Sequence, residues 1–290
     1  MFTGLYTALI TPFKNNKIDE DALKKLVEFQ IENGVDGIIP CGTTGESPTL
    51  NHEEHNKVVE ICVKASNGRA KIIAGSGSNS TREAIMLTNH AKEIGADGCL
   101  IVAPYYNKPT QEGLFKHFEE INKCDLPFII YNIPGRSSVD IKDETLARIS
   151  ELENAAGIKD ATGDLGRIFS LRQLVKRTGF SFLSGEDPTT VGFNALGGNG
   201  VISVTSNIAP ALCKEVQNAC KNGDYKKALE IHDKLAPLHR SMFLETNPIP
   251  VKYGAHLVGL CENEVRMPLT EPSENVKREV ENALKALKLI

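Results

Sequence analysis

The sequence lacks any marked excess of charge. Its formal net charge is −4 over 290 residues, and no basic stripe runs through it, which argues against nucleic acid as its partner. No apolar run is long enough to span a bilayer, and no charged segment precedes the apolar opening residues, which stop at Pro12; neither a membrane anchor nor a signal peptide is expected. C-x-x-C is absent. The cysteines number seven (Cys41, Cys62, Cys99, Cys124, Cys213, Cys220 and Cys261), and several sit inside apolar runs. That pattern fits buried free thiols in a reducing cytosol rather than a disulfide framework or a zinc site. H-E-x-x-H is missing as well. His52 and His55 flank Glu53 and Glu54 with no third histidine near, so a polar helix end or a small-ligand site fits better than a metal. No G-x-S-x-G elbow suggests a serine triad. No G-x-G-x-x-G follows the first strand, and the lone Gly75-Ser76-Gly77 is weak evidence for phosphate binding. No metal and no cofactor are expected.

What is present is an alternation. Strand-like runs are expected at 5–11, 37–41, 71–76, 99–104, 127–134, at the stretch from Ala155, at 180–185 and at 200–206. Helical spacing separates them, over 19–33, from Asn51 (with Glu54 completing a capping box), and over 82–94, 112–122, 143–150, 165–176, from about Pro188, and over 210–220. Gly34-Val35-Asp36-Gly37 and Gly95-Ala96-Asp97-Gly98 each close a helix and lead into a strand. Eight βα units predict an α/β protein, a (β/α)8 TIM barrel, for which about 250 residues is typical. An open doubly wound sheet is the alternative. Past Lys221 only helical spacing remains, at 225–240, 250–257 and 273–288. The expected organisation is a catalytic barrel over 1–222 and a C-terminal helical extension over 223–290.

In such a barrel the chemistry collects where strands end. Those ends carry Thr43 and Thr44, Tyr105 and Tyr106, Tyr131 and Arg136, Lys159, Gly185 and Ile202. Lys159 lies in a small, apolar strand, Ala155-Ala156-Gly157-Ile158-Lys159. Taken alone it reads as a strand-end lysine that snorkels to solvent. Taken with the tyrosines and hydroxyls it reads as a nucleophilic amine for Schiff-base chemistry on a keto acid.

Gly42-Thr43-Thr44-Gly45-Glu46, Tyr131-Asn132-Ile133-Pro134-Gly135-Arg136 and Gly157-Ile158-Lys159-Asp160-Ala161-Thr162 resemble the signature of the pyruvate-dependent class I aldolases. That family holds the dihydrodipicolinate synthases and N-acetylneuraminate lyases. The resemblance extends to 105–109, 196–204 and 247–252, and so covers essentially the whole chain. It implies that Lys159 forms the Schiff base with pyruvate and that Tyr131 is the general acid/base. It further implies that Thr43 links Tyr131 to Tyr106 of a neighbouring subunit, and that Thr44 holds the pyruvate carboxylate. Arg136 would receive the carboxylate of L-aspartate 4-semialdehyde, with Gly185 and the Ile202 carbonyl lining the pocket. The synthase reaction is preferred to a retro-aldol lyase acting on a keto-deoxy sugar acid or N-acetylneuraminate. Arg136 and Thr43 carry that preference, since the guanidinium fork suits a short carboxylate. The resemblance also implies a homotetramer built as a dimer of dimers, a cytoplasmic location, and an L-lysine effector site from Ser47, Pro48, His52, His55, Asn79, Glu83 and Tyr105. Two departures are Pro48, where a small residue is usual, and Glu186, where Asp is usual.

Overall fold

The structure is a computed structural model that describes residues 1–290. Eight parallel strands close into a barrel: β1 (Gly4–Ala8), β2 (Gly37–Ile39), β3 (Lys71–Gly75), β4 (Gly98–Val102), β5 (Phe128–Asn132), β6 (Ala155–Asp160), β7 (Ser181–Ser184) and β8 (Gly200–Ser203). Their order around it is β1-β8-β7-β6-β5-β4-β3-β2. The helices are α1 (Glu20–Glu32), α2 (His52–Ser66), α3 (Thr81–Glu93), α4 (Gln111–Asn122), α5 (Asp143–Ser150), α6 (Leu165–Leu174), α7 (Thr190–Ala195) and α8 (Pro210–Lys221), followed by α9 (Tyr225–Ser241), α10 (Ile249–Leu257) and α11 (Glu274–Ala286). The (β/α)8 architecture with C-terminal helices is therefore the one the alternation predicts. No helix is long and apolar enough to cross a membrane.

Element ends differ from expectation for local reasons. The first strand stops at Ala8 because the Ile10 N–H turns to the Asn207 side chain, at 3.0 Å. The fifth stops at Asn132 because Pro134 opens a short helical turn, Pro134–Ser137, where its missing N–H costs nothing. A two-stranded ribbon, Phe13–Lys14 with Lys17–Ile18, was not expected. Its corner is Asn15-Asn16, both at positive φ (53° and 60°), a geometry asparagine tolerates in two-residue hairpins.

Chain contacts divide the molecule into two compact units. One holds Met1–Gly4 and Ile73–Ile202, the other Leu5–Ile72 and Ser203–Ile290. In the first unit, Leu114, Phe118, Ile121 and Phe128 to Ile130 are fully buried, each side chain contributing roughly 1.5–3 kcal/mol of hydrophobic burial. Phe118 stacks on Phe128 at 5.9 Å, and His117 sits edge-on to Phe118 at 5.3 Å. In the second unit, α1 is capped by Asp19, which accepts the Ala22 N–H, and buries Leu23, Leu26 and Val27. The Asn51/Glu54 capping box opens α2. All seven cysteines are free, six of them buried. Burial pushes the Cys41 thiol up and the Cys99 thiol up to about 12, which leaves them in the unreactive protonated form.

His117 gives the first unit a pH dependence. Burial pulls its pKa down to about 4, against about 6.5 in an unfolded chain. Between those values the unfolded chain binds the extra proton, so this contribution is complete above about pH 6.5 and is lost as pH falls towards 4. The expected loss is about 1.4 kcal/mol per pH unit in that window. In urea unfolding between pH 7 and pH 5, His117→Gln should show a shallower loss of stability than the parent; parallel curves for the two proteins would contradict the assignment.

Candidate active site

In the first unit, β5 and β6 pair so that Tyr131 stands opposite Lys159. The two side chains therefore share a face. Lys159 is 6% exposed and Tyr131 5%, and the lysine Nζ lies 4.0 Å from the centroid of the tyrosine ring. The lysine does not snorkel out. Part of its lost hydration is replaced by the ring face, and Glu186 adds a nearby carboxyl. Burial raises the pKa of Glu186, and the charge on Lys159 opposes that rise. Two glycines permit this arrangement. A Cβ on Gly157 would come within 2.5 Å of the Ser181 carbonyl, and one on Gly185 within 2.7 Å of the Ala161 Cβ. With no side chain there, the Gly185 N–H reaches the Asp160 carbonyl at 2.6 Å. Ile202, in β8, is fully buried.

Behind the lysine lies a charged cluster. Asp160 accepts from the N–H and hydroxyl of Thr162, at 2.9 and 2.6 Å. Burial pushes its pKa up, against the pull of those hydrogen bonds and of Arg167. Arg167 pairs with Asp140 at 2.7 Å and Asp143 at 2.8 Å, lies 3.8 Å from Asp160, and donates to the Ile141 carbonyl. Asn132 donates to Asp140 at 2.7 Å and accepts the Ile141 N–H at 3.1 Å. Between these anchors runs the turn that carries Arg136, which is exposed. The turn is closed by the Ser137 hydroxyl, which bonds the Ile133 and Val139 carbonyls at 2.9 and 2.8 Å.

After β4, Tyr105 and Tyr106 are 38% and 89% exposed, and Tyr106 holds a φ of 71°. Asn107 ties this loop to Asn79 by donating to its carbonyl at 2.9 Å. Glu83, at the start of α3, accepts the Ser78 hydroxyl.

In the second unit, Thr43 and Thr44 follow β2. Thr44 is buried, and its hydroxyl accepts the Asn247 side-chain N–H at 2.9 Å. Ser47 opens a 3-10 turn, Ser47–Thr49. His52 is exposed at the start of α2, and His55, three residues on, is buried.

Of the residues singled out in the sequence, Lys159 and Tyr131 are brought into contact, and Asn79 is joined to the Tyr105–Tyr106 loop. Glu46 and Asp160 were noted only as members of motifs, and Arg167, Asn247, Lys252 and Arg266 were given no role, although these six hold the turns that carry the others. Lys252 did give a signal, as a lysine inside the apolar run Val251-Lys252-Tyr253-Gly254-Ala255.

A parallel barrel with a buried strand-borne lysine over a tyrosine ring defines a class I aldolase type of enzyme. A profile described as the dihydrodipicolinate synthetase family matches residues 1–287, and the chain belongs to that family. It is 56% identical over 291 residues to a 4-hydroxy-tetrahydrodipicolinate synthase of Parvibaculum lavamentivorans, with 100% of each chain covered. Among solved structures it superposes with a TM-score of 0.97 and 44% identity on a chloride-inhibited dihydrodipicolinate synthase from Acinetobacter baumannii complexed with pyruvate, covering 100% of both chains. A DHDPS from Cyanidioschyzon merolae with lysine bound matches with a TM-score of 0.96 and 36% identity, over 100% of this chain and 99% of that one.

Proposed function

We propose that the chain condenses pyruvate with L-aspartate 4-semialdehyde to give 4-hydroxy-tetrahydrodipicolinate, a step of diaminopimelate and lysine biosynthesis. The observation that carries this reading is the buried Lys159 amine 4.0 Å over the Tyr131 ring, in a chain that shares its full length with named synthases. The amine adds to the pyruvate keto carbon and water leaves, giving an iminium that withdraws electrons from the neighbouring methyl group. Loss of a methyl proton gives the enamine, whose carbon attacks the aldehyde. The amino group of the second substrate then displaces Lys159 and closes the ring.

Tyr131 carries protons between these steps, and Thr43 passes them on to Tyr106 of a neighbouring subunit. The exposure of Tyr106 on its own chain supports that last role. Thr44 holds the pyruvate carboxylate, Arg136 holds the carboxylate of the aldehyde substrate, and Gly185 and the Ile202 carbonyl line the pocket. Sodium borohydride added with pyruvate should trap a reduced adduct on Lys159, read by mass spectrometry of the digest; an adduct on another lysine, or none, refutes the mechanism. The lyase reading is weaker, because Arg136 suits a short carboxylate better than a polyhydroxy chain.

The same reading gives the enzyme a homotetrameric state and a cytoplasmic place, the latter supported by its free buried thiols. It also gives an L-lysine effector site at Ser47, His52, His55, Asn79, Glu83 and Tyr105, supported by the relative with lysine bound. Millimolar L-lysine should lower the initial rate at least two-fold, and Glu83→Gln should blunt the effect. An undiminished rate would remove the effector site from this reading.

A further inference from the structure

The turn that follows β2 is held by an unusual set of charges, all within the second unit. Glu46 adopts a left-handed φ of 55°, a conformation that persists in a non-glycine residue only when its surroundings impose it. Its carboxylate is buried: one oxygen lies 2.5 Å from Lys252 Nζ, with the two side chains 1% and 0% exposed, and the other accepts the Arg266 N–H at 2.9 Å. Lys252 Nζ also donates to the Glu264 carbonyl at 2.6 Å and lies 4.0 Å over the Phe13 ring. The Arg266 guanidinium lies 4.2 Å over the same ring. It grips both oxygens of Glu54 at 2.7 and 2.6 Å and donates to the carbonyls of Thr49 and Asn16 at 2.9 and 2.8 Å. Two cations and two carboxylates thus fasten both ends of the segment from Glu46 to Glu54 to α10 and the chain that follows it. Asn247, just before α10, fastens the Thr44 hydroxyl itself.

A buried ion pair is a poor means of raising stability, since well-packed apolar residues often do as well or better. What it provides is fixed geometry, because moving either charge leaves the other unpaired in a dry site. The Thr44 hydroxyl shows what that geometry accomplishes. A hydroxyl has one proton and two acceptor sites. Accepting from Asn247 uses an acceptor site and leaves the proton for an outside acceptor such as a carboxylate. A turn free to shift would lose that aim.

We propose that Glu46, Lys252 and Arg266 are positioning residues: a clamp by which the C-terminal segment fixes the Thr43–Thr44 turn and so sets the affinity for the keto-acid carboxylate. The assignment of the carboxylate to Thr44 rests on the function proposed above; the clamp itself rests on the contacts of the second unit.

The test is the paired variant Glu46→Gln/Lys252→Met, which removes both charges without orphaning either. Two readouts are taken. One is the pyruvate concentration giving half-maximal borohydride trapping on Lys159. The other is amide hydrogen exchange across 42–50. The expected result is a rise of ten-fold or more in half-saturating pyruvate, with unchanged labelling at saturation, and exchange at least ten-fold faster in 42–50 while α8 and α9 keep the parent rates. A merely structural defect would lower the labelled fraction without moving the half-saturation point. Unchanged half-saturation and unchanged exchange in the folded variant overturn the proposal. If the pair fails to fold, Arg266→Lys takes its place; it keeps the charge but cannot hold Glu54, Thr49 and Asn16 together, and the same two outcomes decide. If the parent protein itself gives no adduct, the proposed function fails, and exchange in 42–50 alone decides the clamp.

Discussion

Replacing Lys159 with alanine should abolish turnover, with a fall in kcat of about 10³-fold or more, the scale on which covalent catalysis contributes. Trapping with pyruvate and borohydride should leave the protein unlabelled. Lys159→Arg should be equally inactive, because a guanidinium keeps the charge but stays protonated and does not attack carbonyls. The chain offers a built-in control in a second buried lysine. Lys252 is fully buried, yet Glu46 lies 2.5 Å from its ammonium and the Glu264 carbonyl accepts from it. Burial lowers the Lys252 pKa, and the Glu46 charge opposes the fall. Committed to those partners, Lys252 has no free lone pair to offer. Lys159 instead faces an aromatic ring. Its removal leaves a cavity in place of the buried stem and spares the structure the desolvation of an amine, two effects of opposite sign. The alanine variant should therefore unfold within a few degrees of the parent, which separates lost chemistry from lost fold. Retained activity, or pyruvate labelling that moves to Lys252, would show that the nucleophile lies elsewhere.

The contrast between these two lysines also shows where sequence reading reaches its limit. The barrel was legible because each βα unit writes its own signals within about 25 residues: an apolar run, a stop, a cap and a helical stripe. The paired closures at Gly34–Gly37 and Gly95–Gly98 made the repeat visible. Strand ends then pointed to Thr43, Tyr131 and Lys159 as candidates without knowledge of any contact. The clamp and the cluster behind Lys159 were not legible in this way. Thr44 and Asn247 are 203 positions apart, and Glu46 and Arg266 are 220 apart. No local period links such pairs. Arg167 lies in a helix among Leu165, Gly166 and Ile168 and reads as an ordinary surface charge, yet it is 8% exposed and engages two aspartates. The ribbon at Phe13 was missed for a different reason. Strands of two residues carry no alternation, and Asn15-Asn16 reads equally well as a loop.

Arg136→Ala should raise the KM for L-aspartate 4-semialdehyde and leave pyruvate trapping on Lys159 nearly untouched. A charge-assisted hydrogen bond to a carboxylate is worth about 1.5–3 kcal/mol, so loss of the fork should cost roughly 10- to 100-fold in kcat/KM for the aldehyde. Arg136→Lys restores the charge but offers a single point of contact, and should recover only part of the loss. The structure supplies a reason to expect different effects on the two substrates. Lys159 is carried by β6 itself, whereas Arg136 is carried by the turn after β5. That turn is anchored through Asn132 to Asp140 and Ile141, and Arg167 braces both. Arg167→Met should therefore reproduce the Arg136 phenotype in weaker form, raising the aldehyde KM before it alters the half-saturating pyruvate concentration. Steady-state kinetics with each substrate varied in turn decides between the outcomes. Equal losses for both substrates in Arg136→Ala would mean that the guanidinium serves the Lys159 site as a whole, and the specificity for a short carboxylate would then have to come from another side chain.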